Sequence, residues 1–206
     1  MAAPVLNINP IFPQQRLIAK AVESLRRGGL IAYPTDTAYG IGADLFNKKA
    51  IERIYMLKPQ KKKKMMAFIC NGLKDISHYA IISDQAYRLM KKHIPGPYTF
   101  VLHATREVPK LVMTPRNTVG IRVPDNAICQ AIVSELGNPI ITTSATFPGN
   151  DDVVSDPGDI RDKLGHALDY IIDCGPLPIE LSTIVDLSGP EPEILRRGKG
   201  DTAFFE

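Results

Sequence analysis

The chain has 206 residues, of which 44% are hydrophobic and 23% charged, so it is long enough for one ordinary domain with a full core. The formal net charge is only +3, and a charge this small does not by itself indicate a nucleic-acid-binding protein. No apolar run approaches the roughly 20 residues that a membrane-spanning helix needs, so we expect no membrane partner.

The pattern of apolar residues predicts alternating helices and strands along the chain. Helical spacing predicts helices over residues 14–27, 47–57, 84–92, 126–136 and 156–164. Short apolar runs predict strands at Leu30–Tyr33, Tyr39–Leu45, Met66–Cys70, Tyr98–Ala104, Val119–Val123, Pro139–Ser144, Tyr170–Asp173, Thr183–Leu187 and Glu193–Arg196. This interleaving, without a strict βαβ repeat, predicts one α/β domain over residues 1–206, with a twisted mixed sheet flanked by helices. The sequence leaves open whether the protein is a monomer or a homodimer.

The cysteines and the N-terminus indicate a reduced compartment. Cys70, Cys129 and Cys174 are far apart and form no CxxC pair, which argues against a disulfide framework and against a thiolate metal site. Residues 1–10 have neither the basic nor the apolar region of a secretory signal. We therefore expect a cytoplasmic protein without a resident metal.

No familiar catalytic motif occurs in the sequence. There is no P-loop, no complete GxGxxG, no HExxH and no GxSxG, and the four histidines are scattered. We therefore assign no side chain as a catalytic nucleophile, acid or base.

Polar residues instead stand where several predicted strands begin or end. They are Thr35, Asp36, Thr99, Arg122, Thr142, Thr143, Ser144, Ser182, Arg196 and Arg197. Ligands of open α/β sheets gather where strands end, and hydroxyls and arginines there bind phosphate or carboxylate groups. Each residue also has a plainer interpretation. Thr35 could be a turn residue, and Arg122 could pair with a structural carboxylate.

A run of lysines, Lys58 and Lys61–Lys64, places five cations within seven residues. Such a run is usually a solvated loop, but an anionic partner would relieve the repulsion between its charges. With Arg53 one helical turn earlier, this loop is the best candidate for a phosphate contact. No aromatic RNA-binding motif accompanies it, so base stacking is not indicated.

Several segments together resemble the YrdC/YciO family of threonylcarbamoyl-adenylate synthases, and in particular its YciO branch. The segments are Gly28–Gly42, Pro95–Leu102 (PGPYTFVL), Gly120–Pro124 (GIRVP), Thr142–Ala145 (TTSA), Ser182–Asp186 (STIVD), Leu195–Gly198 (LRRG) and the entry Pro13–Arg16. The resemblance implies an α/β fold around a concave, positively charged cavity. It also implies a reaction that joins L-threonine, bicarbonate and ATP and serves tRNA modification, together with binding of double-stranded RNA.

The resemblance assigns roles by matching position. The threonine site would consist of Thr35, Arg122 and Ser182. The nucleotide site would consist of Lys58, Thr99, Thr142, Ser144 and Arg196. Mg²⁺ would bridge the phosphates of ATP. Lys61, Lys62, Lys63 and Lys64 are the candidate RNA contacts.

The sequence departs from the synthase pattern at two places. Lys58-Pro59-Gln60 stands where the synthases have Lys-x-Arg, and Ser144-Ala145-Thr146 stands where they have Ser-x-Asn. We therefore expect that ATP or AMP binds while synthase activity is weak or absent. Two alternatives stay open, an active synthase and a hydrolase that acts on threonylcarbamoylated tRNA.

Overall fold

Every predicted helix and strand occurs in the computed structural model, which describes residues 2–57, 66–146 and 152–206. The helices are Gln15–Arg26 (α1), Lys48–Leu57 (α2), Leu73–Tyr79 (α3), Asp84–His93 (α4), Ala127–Leu136 (α5) and Pro157–Leu164 (α6). The strands are Val5–Asn7 (β1), Ile31–Tyr33 (β2), Gly40–Asp44 (β3), Ala67–Ile69 (β4), Ala80–Ile81 (β5), Tyr98–Ala104 (β6), Thr118–Arg122 (β7), Ile140–Ser144 (β8), Tyr170–Asp173 (β9), Thr183–Asp186 (β10) and Glu193–Arg196 (β11). The sequence did not predict α3, β1 or β5, which have seven, three and two residues.

The strands form one mixed sheet in the described part of the chain. Its order is β1-β9-β2-β3-β8-β4-β7-β6-β10-β11, and β5 pairs with β6 off this path. At the centre, β8 pairs antiparallel with both β3 and β4, whereas β4 and β7, like β6 and β10, pair in parallel. The mixed sheet with flanking helices confirms the predicted fold class.

Alternation along the strands sends apolar side chains to both faces of the sheet. In β8, Ile140 belongs to one buried cluster and Ile141 to the other. α1 and α5 contribute to the cluster on one face, through residues such as Ile18 and Ile132. The other helices contribute to the cluster on the opposite face, through residues such as Ile54 of α2. The sheet is therefore the middle layer of three, as its buried apolar strands require.

The helix ends follow the residues that cap them. Gly28 has a φ of +85°, in the left-handed region, and it ends α1 as expected of a glycine just beyond a helix. Asn126 caps α5 by accepting a hydrogen bond from the Cys129 N–H at 3.0 Å. The sixth helix begins later than predicted, because Asp156 is its cap and accepts from the Gly158 N–H at 2.7 Å.

No helix among residues 2–57, 66–146 and 152–206 is long and apolar enough to cross a membrane. Within the same residues, no group of three or more histidine, cysteine, aspartate or glutamate side chains is placed to hold a metal ion.

Candidate functional site: a cleft on the open part of the sheet

α1 and α5 cover only part of their sheet face, and a cleft of about 240 Å³ lies on the rest of it. The cluster beneath these helices draws on β1, β2, β4, β8 and β9, and among the described residues it includes no side chain of β6, β7, β10 or β11. Thr142 follows Ile140 by two residues and therefore shares its face. Arg122 pairs with Ile69, and Arg196 pairs with Ile184, which itself pairs with Thr99. Directly paired residues point to the same face, so these side chains share the floor of the cleft.

The cleft brings together the predicted site residues that the structure describes. Its lining includes Thr35, Thr99, Arg122, Thr142, Ser144, Ser182 and Arg196. Lys58 and Lys61–Lys64 lie outside the described residues, so their placement and roles stay predictions. Gly40 and Ala67 also line the cleft, and their small size leaves space above the sheet.

Arg196 is held at the cleft by hydrogen bonds to Ser182. Its Nε and Nη2 donate to the Ser182 carbonyl oxygen at 3.0 and 2.7 Å, and Nη2 also donates to the Ser182 hydroxyl at 3.1 Å. That hydroxyl lies 2.8 Å from the hydroxyl of Thr99. Burial, and then the nearby charge of Arg122, lower the pKa of Arg196. The two guanidinium groups therefore repel each other across one cleft, and an anion between them would relieve that repulsion.

The hydroxyl of Thr35 is used inside its own turn. It accepts from the N–H groups of Thr37 and Ala38 at 3.1 and 3.2 Å, and it donates to the Ala38 carbonyl at 2.7 Å. Thr35 is thus the turn residue that one interpretation expected, while it also lines the cleft. Thr37 lines the cleft as well, and sequence reasoning missed it because it does not stand at a strand end.

Arg122 has the structural carboxylate that one interpretation predicted. Its Nη2 is ion-paired with Oδ1 of Asp36, and both side chains are 11% exposed. The same nitrogen donates to the Thr37 hydroxyl at 2.7 Å and meets the Thr35 hydroxyl at 3.4 Å. Nε is buried and has no acceptor in the described structure. The two interpretations of Arg122 are therefore compatible, because it has a carboxylate partner and also lines the cleft.

Tyr33 lies beside the floor of the cleft, on the same face of the sheet and within the cluster under α1 and α5. Its ring is fully buried, and its hydroxyl donates to the Thr142 hydroxyl at 2.6 Å, which in turn donates to the Ile41 carbonyl at 3.2 Å. Burial raises the pKa of Tyr33, so the phenol stays neutral. A side chain at Gly42 would meet the Tyr33 ring at 2.7 Å, which explains why this position has none.

The two departures from the synthase pattern differ in what can be described. Thr146 lines the cleft beside Ser144 and forms a strand bridge with Val153. Gln60 lies outside the described residues. Arg53, one helical turn before the lysine run, has its partners inside the protein. Its guanidinium donates to the carbonyls of Gly28 and Ala167, each at 3.0 Å, and pairs with Asp169 at 3.0 Å.

Comparisons with known proteins agree with this fold. The family model for Sua5, YciO and YrdC, described as telomere recombination, matches residues 23–198. YciO of Escherichia coli is 42% identical over 199 residues, which cover 96% of this chain and 97% of that protein. The crystal structure of E. coli YciO superposes with a TM-score of 0.95 and covers 99% of this chain and 100% of that one.

Two relatives have names that state a ligand or product. A threonylcarbamoyl-AMP synthase of Vibrio vulnificus is 31% identical over 159 residues, which cover 75% of this chain and 84% of that protein. The crystal structure of P. abyssi Sua5 complexed with L-threonine superposes with a TM-score of 0.87 at 27% identity. That match covers 94% of this chain and 57% of the Sua5 chain, so Sua5 has a large part that is not matched here.

Proposed function

The chain belongs to the Sua5/YciO/YrdC family, and from that premise we propose that its cleft binds ATP or AMP together with L-threonine. One observation carries the proposal: two arginines and a set of hydroxyl groups from distant parts of the chain converge on one cleft. Arginine offers a planar fork of donors that suits phosphate and carboxylate groups. The lowered pKa of Arg196 agrees, because a bound anion would compensate the two charges.

We divide the cleft into two ligand regions. Arg122, beside the turn at Thr35 and Thr37, is the candidate for the threonine carboxylate. Arg196, with Thr99 and Thr142 on the same face, is the candidate for the nucleotide, and Lys58 is assigned to phosphate by the resemblance alone. Mg²⁺ would enter with ATP as part of the substrate.

In the synthase reaction, threonine and bicarbonate form a carbamate whose oxygen attacks the α-phosphorus of ATP, and pyrophosphate leaves. The protein needs no nucleophile for this step, so its contribution is to position the reactants and to stabilise negative charge. We propose that this chemistry is reduced or altered here. Thr146 replaces an amide, and Gln60 replaces an arginine, whose hydrogen bonds to phosphate would each be worth about 1.5–3 kcal/mol. Loss of one such contact in the transition state lowers the rate about 10- to 100-fold.

Calorimetry with ATP, AMP and L-threonine tests the binding proposal. Arg196→Lys keeps the charge but loses the fork, so we expect nucleotide affinity to fall about 10-fold or more. Arg197→Lys is the matched control, because Arg197 is exposed and pairs with Glu206. Equal effects of the two substitutions, or no binding by the unaltered protein, would contradict the proposed site.

Pyrophosphate release that depends on threonine and bicarbonate tests the catalytic proposal. We expect little release from the unaltered protein and more from the double variant Gln60→Arg, Thr146→Asn. Robust release from the unaltered protein, or growth of a synthase-deficient cell that carries it, would identify an active synthase instead.

A hydrolase of threonylcarbamoylated tRNA is the second candidate. It is favoured by an asymmetry of the cleft: the threonine region keeps Thr35, Arg122 and Ser182, whereas the departures at Gln60 and Thr146 affect the nucleotide region. Incubation with threonylcarbamoylated tRNA, followed by detection of unmodified adenosine, separates this candidate from the first. Unchanged tRNA would exclude it.

RNA binding, to tRNA or another double-stranded RNA, belongs to the same proposal. Each phosphate that a lysine neutralises steepens the salt dependence of affinity, so replacing Lys61–Lys64 with glutamine should flatten that dependence. Replacing Lys91 and Lys92, which lie in the last turn of α4, is the control for a loss of positive charge elsewhere. An unchanged slope for the first variant would place the RNA surface away from Lys61–Lys64.

A further inference from the structure

Asp36 connects three segments of the chain at the edge of the cleft. Its Oδ1 meets Arg122 at the end of β7, and its Oδ2 accepts from the Asp125 N–H at 3.2 Å. Its backbone carbonyl accepts from Lys199 Nζ at 2.8 Å. Both carboxylate oxygens are therefore used inside the protein, and Arg122 is the member of the ion pair that lines the cleft.

The contacts of Arg122 all fall on one of its three nitrogens. Asp36, Thr37 and Thr35 each meet Nη2, whereas Nε finds no acceptor among the described residues. A guanidinium has five N–H donors in a rigid plane, so fixing one nitrogen also fixes the direction of the other two. The orientation of Arg122 is thus set from the protein side, without use of all its donors.

Asp36 could act on a ligand in two opposite ways. A ligand carboxylate could displace it from Arg122, which would make Asp36 a competitor, or the ligand could bind to the remaining donors, which would make Asp36 a support. Displacement would leave a carboxylate that is 11% exposed without its cation, and an unpaired buried charge is strongly unfavourable. The geometry therefore favours the second possibility, in which Asp36 supports Arg122 and the ligand binds to the remaining donors.

We infer that Asp36 is a positioning residue of the cleft, which holds the Arg122 guanidinium in the orientation that receives the carboxylate of an amino-acid ligand. The inference rests on the proposed function, because that function supplies the amino acid. It adds a residue to the site, since the resemblance assigned Thr35, Arg122 and Ser182 to threonine but gave no role to Asp36.

Titration calorimetry with L-threonine on Asp36→Asn tests this role. Asparagine keeps the shape of the side chain but removes its charge, and a charge-assisted hydrogen bond is about twice as strong as a neutral one. We expect threonine affinity to fall about 10-fold, while ATP affinity changes less than about twofold. Asp125→Asn is the matched control, because Asp125 contacts Asp36 through its backbone N–H, and it should leave both affinities unchanged.

A second measurement reports on Arg122 without any ligand. In ¹⁵N NMR spectra of the full chain, a clamped guanidinium rotates slowly about its Nε–Cζ bond, and Arg122→Lys identifies the signal. We expect slow rotation in the unaltered protein and in Asp125→Asn, and fast rotation in Asp36→Asn.

Unchanged rotation in Asp36→Asn would overturn the inference, and so would threonine affinity that stays equal or rises, because a competitor gives that result. Failure of the unaltered protein to bind L-threonine or ATP would instead refute the proposed function. In that case the rotation of Arg122 still decides whether Asp36 holds it, so the two failures are distinguishable.

Discussion

One face of the sheet has two halves, and they differ in whether a helix covers them. The part under α1 and α5 is called the covered half, and its side chains that pack against the helices are Leu6, Ile31, Ile140 and Ile172. The part that forms the cleft is called the open half, and it is lined by Gly40, Ala67, Thr99, Arg122, Thr142 and Arg196. The backbone is the same continuous sheet in both halves, so the side chains make the difference.

The change occurs within a single strand. Ile140 of β8 is fully buried in the covered half, and Thr142, two residues later on the same face, lines the cleft. Full burial of an isoleucine side chain contributes about 1.5–3 kcal/mol, so the open half gives up part of this stabilisation. Instead, the open half has polar side chains that form hydrogen bonds with one another, such as Thr99 with Ser182. One sheet face thus packs against helices at one end and leaves polar side chains lining a cleft at the other.

The same truncation in each half should have unequal effects on stability. Ile140→Ala removes a fully buried side chain, so we expect the free energy of unfolding to fall by about 2–5 kcal/mol. Ile184→Ala removes a half-buried side chain that lines the cleft, and we expect a loss of about 1 kcal/mol. Urea denaturation measures both losses. Equal losses would mean that the open half is packed as tightly as the covered half.

A methyl group at the boundary of the two halves should cost less. Gly42→Ala would place Cβ 2.6 Å from a methyl carbon of Ile140 and 2.7 Å from the Tyr33 ring, so one of them must move. We expect a loss of about 1–3 kcal/mol, as is usual for overpacking. Gly189→Ala is the control, since its nearest atom would lie at 3.7 Å. A change in Gly42→Ala no larger than that of the control would show that Tyr33 is free to shift.

Several residues of the cleft were predictable because their signal is local. Thr99, Thr142 and Ser182 are polar residues next to apolar runs, and the position of a strand end can be read from a few neighbouring residues. The fold class was predictable for a related reason, because α1 and α5 are long enough to show a helical period. In contrast, β1 offers only Val5 and Leu6 as an apolar run between Pro4 and Asn7, and β5 has only two residues.

The contacts between cleft residues could not be predicted, because they join positions that are far apart in sequence. Asp36 and Arg122 are 86 residues apart, and their pairing depends on how β2 and β7 are placed in the sheet. Arg53 shows the same limit. Its position before a lysine run favoured a phosphate contact, but its partner Asp169 lies 116 residues away. Sequence reasoning predicted which residues would carry chemistry, and the register of the sheet determined which of them meet.

Removal of the Tyr33 hydroxyl beside the cleft should have a smaller effect than overpacking. Tyr33→Phe loses the hydrogen bond to Thr142, and we expect a loss of about 0.5–1.5 kcal/mol. Thr142→Val leaves the buried Tyr33 hydroxyl without its acceptor, which costs about 1–3 kcal/mol. The double variant should cost less than the sum of the two, because no unsatisfied donor remains. Additive losses in urea denaturation would mean that the two hydroxyls do not interact.

The last prediction compares the rates at which a reagent modifies two thiols, one in the covered half and one outside it, without any substitution. Cys129 belongs to the covered half, is fully buried, and lies with its Sγ 3.1 Å from the Pro34 carbonyl oxygen. Cys174 is only partly buried. Burial raises the pKa of both thiols, so at pH 8 each has less of the reactive thiolate than a free cysteine. We expect a thiol reagent to modify Cys174 slowly, faster as the pH rises toward its pKa, and to reach Cys129 only when α5 separates from the sheet.

Identification of the modified peptides by mass spectrometry measures the two rates, and Cys174→Ser should remove the faster one. Modification of Cys129 as fast as that of Cys174 would contradict the comparison, because it would require that α5 leave the sheet readily. The covered half would then be covered only part of the time, and the contrast with the open half would be one of degree.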